Sequence, residues 1–89
     1  MKAVYQTRQF KKDLKRIVKR GKEIEKLKVV IRKLVEGIEL DERQRDHALT
    51  GKWAGSRDCH IEPDWILIYR VSEEDLFLER TGTHSDLFR

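Results

Sequence analysis

The chain has 89 residues and a mass of 10.7 kDa, enough for one domain spanning residues 1–89 and too little for a two-domain enzyme or a doubly wound cofactor fold. A single cysteine, Cys59, excludes an internal disulfide and suits a reducing compartment. No apolar run approaches the ~18 residues of a membrane span, nor is there the apolar stretch of a signal peptide, so a cytoplasmic protein with no membrane partner is expected. The net charge of +4 hides an asymmetry: residues 1–35 carry 13 Lys/Arg against 3 Asp/Glu, and residues 36–89 carry 7 against 13. The basic half is either a footprint for a polyanion or a solvated helix face.

Val4-Tyr5-Gln6 reads as a short strand, and Thr7 offers the hydroxyl of a helix N-cap. Phe10, Leu14, Ile17 and Val18 then form one apolar stripe, with Lys11, Lys12, Lys15, Arg16, Lys19 and Arg20 on the other faces, which predicts a basic amphipathic helix ended by Gly21. Ile24, Leu27, Val30, Ile31, Leu34 and Val35 predict a second helix, stopped by Gly37. The two should form an antiparallel hairpin. Residues 38–46 are polar and aperiodic and read as a connecting loop.

From Trp53 onward the texture turns to β: Cys59-His60-Ile61, Trp65 to Val71 and Leu76 to Arg80, separated by Glu62-Pro63-Asp64 and Ser72 to Asp75. Short connections predict a three-stranded antiparallel meander packed on the helical hairpin, with the first strand joining its sheet. The expected fold is α+β, with element order β-α-α-β-β-β.

All three histidines lie at element boundaries: His47 at the end of the loop, His60 near a strand end and His84 just past the last strand. Imidazoles titrate near neutrality, so two of them can act as base and acid in one step. That is what moving a proton from a ribose 2′-OH to a leaving 5′-oxygen requires. Arg80 is a candidate cation for the charge developing on phosphate, and Asp64 can orient a histidine or accept a proton. Trp65 and Phe88 offer flat faces for an unstacked base. A zinc reading is disfavoured because His60 and Asp64 flank a proline turn and no ligand pair of recognised spacing occurs. Cys59 reads as a small buried residue, and the scattered glycines form no phosphate loop, so no cofactor is expected.

Three blocks, Asp46-His47-Ala48-Leu49-Thr50-Gly51-Lys52-Trp53, Arg57-Asp58-Cys59-His60-Ile61-Glu62-Pro63-Asp64-Trp65-Ile66-Leu67-Ile68-Tyr69 and Glu79-Arg80-Thr81-Gly82-Thr83-His84-Ser85-Asp86-Leu87-Phe88, resemble the signatures of YafQ-type toxins of the RelE/ParE superfamily. They span about half the chain; the helices match only in pattern. The resemblance implies a RelE-like fold and a ribosome-dependent mRNA endonuclease that cuts in the ribosomal A site, with an antitoxin partner through whose complex alone DNA would be contacted. It also implies a proton-transfer and substrate-orienting set of His47, His60, Asp64 and His84, with His84 as general acid, the base among the other three and Arg80 as cation. Trp65 and Phe88 fall on positions that hold mRNA, while Lys11, Lys12, Lys15 and Arg16 suit ribosomal RNA phosphates or acidic antitoxin residues. Ala48 stands where relatives often carry proline, which would loosen the loop aiming His47. The competing reading is a non-catalytic basic module that binds RNA or protein, with the histidines as bystanders; the gyrase-directed branch of the superfamily lacks this imidazole set.

Overall fold

The computed structural model describes residues 2–88. Strand β1 (Ala3–Gln6) runs into helix α1 (Arg8–Lys19), which is capped by the Thr7 hydroxyl accepting from the Phe10 N–H at 3.0 Å. Helix α2 (Ile24–Glu36) follows a turn at Gly21 and ends at Gly37, both with φ in the left-handed region, as the expected stops require. Strands β2 (His47–Ala48), β3 (Arg57–Glu62), β4 (Trp65–Val71) and β5 (Asp75–Gly82) complete the sheet, and a single-turn helix α3 (His84–Leu87) closes the described chain.

The sheet order is β1-β5-β4-β3-β2, with β1 parallel to β5 and every other pair antiparallel. The expected meander is therefore β3-β4-β5, and the N-terminal strand joins it beyond β5. Four elements were not expected: helix α3, a 3-10 turn at Gly51–Trp53, and the two that follow. His47–Ala48 pairs with Asp58 and Arg57 to form the edge strand β2, and the segment read as loop holds a 3-10 turn at Glu42–Gln44.

Alternation along β4 divides the core. Trp65, Leu67 and Tyr69 face the helices and pack with Phe10, Ile17, Leu27, Val30, Leu34, Cys59, Leu76 and Leu78. Ile66 and Ile68 point the other way and are covered by Leu87 of α3, with Leu49 and Trp53 from the β2–β3 connection. That second, smaller cluster anchors the ends of the chain segments that carry the histidines.

In α1 the stripe departs from expectation at two places. Val18 is 55 % exposed, whereas Asp13 is fully buried. Asp13 lies three residues after Phe10 and four before Ile17, so helical geometry puts it in the stripe itself. Burial of this carboxylate is matched by partners: Arg80 Nε donates at 2.7 Å and Nη2 at 3.2 Å, Arg16 Nη2 donates at 3.2 Å, and the Thr81 N–H at 3.2 Å.

Candidate active site

The site forms where β3 ends, β4 begins and β5 hands over to α3. Pro63 and Asp64 make the two-residue turn between β3 and β4, which sets Glu62 opposite Trp65. Asp64 thus sits at a hairpin tip facing the start of α3. Its Oδ1 accepts from the His84 backbone N–H at 2.9 Å and lies 2.7 Å from His84 Nδ1. These two hydrogen bonds hold the Asp64 carboxyl below the usual carboxylate range, so it is ionised and Nδ1 is the donor. His84 consequently presents Nε2 outward.

Helix α3 is built to hold that geometry. The Thr83 hydroxyl accepts from the Asp86 N–H at 3.1 Å, and Asp86 Oδ2 accepts from the Thr83 N–H at 3.0 Å, a reciprocal capping box. Asp86 is also clamped by Arg20 at 2.6 and 3.1 Å and by Arg16 at 3.2 Å, tying α3 to α1. A Cβ at Gly82 would stand 2.8 Å from Asp86 Oδ2, so this turn closes only over glycine.

His60 shares its face of β3 with Asp58, two residues away, and its ring meets that of His84 edge-on at 5.5 Å between centroids. The Phe88 ring lies 6.2 Å beyond His84 and is 39 % exposed, leaving a face open beside the imidazoles.

His47 is opposite Asp58 in the β2–β3 register, with Nδ1 2.7 Å from the Arg45 carbonyl and 3.1 Å from Asp58 Oδ1. A carbonyl can only accept, so Nδ1 carries the proton and Nε2 of the neutral ring is the basic nitrogen. The chain entering β2 is pinned because Asp46 accepts from the Tyr69 hydroxyl at 2.5 Å and from Arg57 Nε at 3.1 Å. With Ala48 in the ladder as well, the His47 strand is held despite the missing proline.

Beneath the rings lies Asp58, almost fully buried. Burial raises its carboxyl pKa, and the charges of His47, His60 and His84, in that order, oppose the rise. His60 and His84 thus meet at the end of β3, while His47 stands on the edge strand opposite Asp58, two residues along β3 from His60.

Beside them is a hollow of about 330 Å³ lined by Arg43, Arg45, His60, Pro63 and His84. Arg43 and Arg45 were not singled out in the sequence. The usable signal was a run of two arginines within the five residues before His47. Arg45 takes a left-handed backbone (φ 47°) that aims its carbonyl at His47.

Arg80 is not among the residues lining this hollow; it turns to the buried Asp13 on α1 and keeps Nη1 free of hydrogen bonds among the described residues. Trp65 requires a correction. It is fully buried in the helix-side core, with Nε1 donating to Thr81 Oγ1 at 2.9 Å, so it has no ring face to offer an RNA base. Arg16 is committed to Asp13 and Asp86, whereas Lys11, Lys12 and Lys15 are exposed and make no ion pair among the described residues.

Cys59 is fully buried, and burial pushes its thiol pKa far up, so it is no nucleophile. Among the described residues no three His, Cys, Asp or Glu side chains group closely enough to hold a metal ion. Among the described residues no helix is long and apolar enough to cross a membrane.

Over residues 2–89 the sequence matches the family of the YafQ bacterial toxin of type II toxin-antitoxin systems. It is 47 % identical over 81 residues to the mRNA interferase toxin YafQ of Escherichia coli strain K12, covering 90 % of this chain and 88 % of that protein. The fold is similar to that of the E. coli DinJ–YafQ complex, with a TM-score of 0.93, 42 % identity and 100 % of both chains covered. It is also similar to a metal-bound toxin from Helicobacter pylori, with a TM-score of 0.92, 38 % identity and coverage of 99 % of this chain and 100 % of that one. The mixed five-stranded sheet carrying an imidazole cluster at one end therefore belongs to the YafQ family of bacterial type II toxins.

Proposed function

We propose that the chain is an endoribonuclease, an mRNA interferase that cuts message in the ribosomal A site without a metal ion and is silenced by a cognate antitoxin in the cytoplasm. The observation that carries this reading is the meeting of His60 and His84 at 5.5 Å, with His84 fixed by Asp64 and His47 hydrogen-bonded to the Arg45 carbonyl. The named activity of the E. coli relative supports it, as does the antitoxin complex in which a related chain was solved.

In the proposed reaction a basic imidazole nitrogen removes the proton from a ribose 2′-OH, and the 2′-oxygen attacks the adjacent phosphorus. The bond to the 5′-oxygen breaks, and that oxygen takes a proton from the Nε2 of His84 in its imidazolium form. The upstream fragment ends in a 2′,3′-cyclic phosphate and the downstream one in a 5′-hydroxyl.

Asp64 is a poor base in this scheme because both of its contacts to His84 favour its ionised form. The base is thereby narrowed to His47 or His60, and His47 has the better-defined lone pair. Arg43 and Arg45 line the hollow and suit the phosphate oxygens; Arg80, oriented by Asp13, contributes its free Nη1 from the side of α1. Phe88 supplies a stacking face, and Lys11, Lys12 and Lys15 supply charge for ribosomal RNA.

The test is cleavage of ribosome-bound message by the parent and by His84→Ala. Loss of the general acid should lower the rate by roughly 10² to 10⁴. A folded His84→Ala protein that cuts at the parental rate would overturn the assignment.

A further inference from the structure

A second and larger hollow, of about 490 Å³, adjoins the first and shares Arg43, His60 and Pro63 with it. It lies between α2 and the end of β3. Its floor is apolar, made by Val29, Val30 and Ile61, with Val29 left 41 % exposed between Lys26 and Lys33 on the outer side of α2. Lys33 and Arg43 stand at its rim. Lys33 makes no ion pair among the described residues, and Arg43 reaches Asp41 only at 3.7 Å. Gln44, whose Oε1 accepts from the Asp41 N–H at 3.0 Å, keeps its amide NH₂ free of hydrogen bonds among the described residues.

We infer that this hollow is a seat for the nucleotide adjoining the scissile phosphate, and that it sets base preference at that position. The inference rests on the endoribonuclease reading. A strand that lays its phosphodiester between His60 and His84 must continue past one side of His60. On the Pro63 side it enters a space large enough for a nucleoside, where Val29, Val30 and Ile61 meet a base face and Lys33 and Arg43 meet the next phosphate. Lys26 and Glu62, which also line the hollow with Asp41, pair with each other at 2.9 Å, whereas the free Gln44 amide can tell one base edge from another by donating to it.

Val29→Glu tests this, because glutamate is the better helix former and stands four residues before Lys33, so α2 is retained. Lys33→Glu serves as a second variant and Val29→Ile as the conservative control. The readout is kcat/KM on ribosome-programmed messages that differ only in the base next to the cleaved bond. Val29→Glu should reduce the ratio between preferred and disfavoured bases by about tenfold, the size expected for one lost base contact, with the 2′,3′-cyclic ends retained and Val29→Ile like the parent, whereas Lys33→Glu, which loses a phosphate contact, should lower kcat/KM on every message alike. An unchanged ratio in folded Val29→Glu overturns the seat, as does an unchanged ratio in that variant accompanied by lost antitoxin binding, which would mark the hollow as a protein surface. A parent chain that cuts no message at all overturns the endoribonuclease reading along with it.

Discussion

One carboxylate oxygen of Asp64 accepts from both the backbone N–H and the ring Nδ1 of His84, at 2.9 and 2.7 Å, so the residue that aims the imidazole also caps the turn that carries it. Position and tautomer are fixed by the same atom. Asp64→Asn keeps an acceptor for the backbone N–H but removes the charge facing the ring. Activity should fall by at least about tenfold in kcat with little change in KM, and circular dichroism should show a folded protein. An equal rise in KM with kcat unchanged would instead assign Asp64 to substrate binding.

The Asp13–Arg80 pair carries a stability prediction. Asp13→Ala removes the partner of a largely buried guanidinium and of the Thr81 N–H, which should cost on the order of 3 kcal/mol. For a domain of this size that corresponds to a fall in Tm of roughly 10 °C or more, readable by thermal denaturation. Lys15→Ala, on the exposed side of the same helix, should stay within about 0.5 kcal/mol of the parent.

Acid should loosen α3 before the core fails. Arg20 holds the Asp86 carboxyl well below its usual value of 3.8, and the Thr83 cap adds to this. Because the folded-state pKa is depressed, the stabilisation is fully present above the unfolded value and is lost as pH falls through and below about 3.8. Stability measured from pH 6 downward should therefore decline less steeply in Asp86→Asn than in the parent. Parallel curves would show that Asp86 is not coupled to folding in this way.

Cys59 should be inert in the native state. With its thiol buried between the helices and the sheet and its pKa driven up, alkylation by iodoacetamide at pH 8 should proceed only on unfolding. Labelling that is complete within minutes under native conditions would contradict this burial.

The helices and the meander were legible because apolar spacing and turn residues are local signals. Phe10 and Ile17 mark one face of α1, and Pro63-Asp64 marks a tight reversal. What escaped depends on contacts between distant segments. Strand β2 is two residues long and exists only through its pairing with Asp58 and Arg57. Asp13 looks like one more surface charge until Arg80, 67 residues later, arrives to meet it. The histidines could be suspected from residue type and position, and Asp64 could be suspected of orienting one of them. Which histidine it orients is set by the docking of Leu87 on Ile66 and Ile68. Trp65 misled because an aromatic ring reads alike in a core and in a binding face; the alternation of β4 settles its direction.

Proton transfer between imidazoles at one end of the sheet fixes the chemistry of the cut ends. Purified ribosomes programmed with message should be treated with the parent and with His47→Ala, His60→Ala and His84→Ala, with and without chelator, and the upstream fragments analysed for terminal phosphate. The parent should leave a 2′,3′-cyclic phosphate, unaffected by chelator, and rates should be lowered by roughly 10²-fold or more in His84→Ala and in at least one of the other two variants. A 3′-hydroxyl end, or cleavage abolished by chelator, would contradict it.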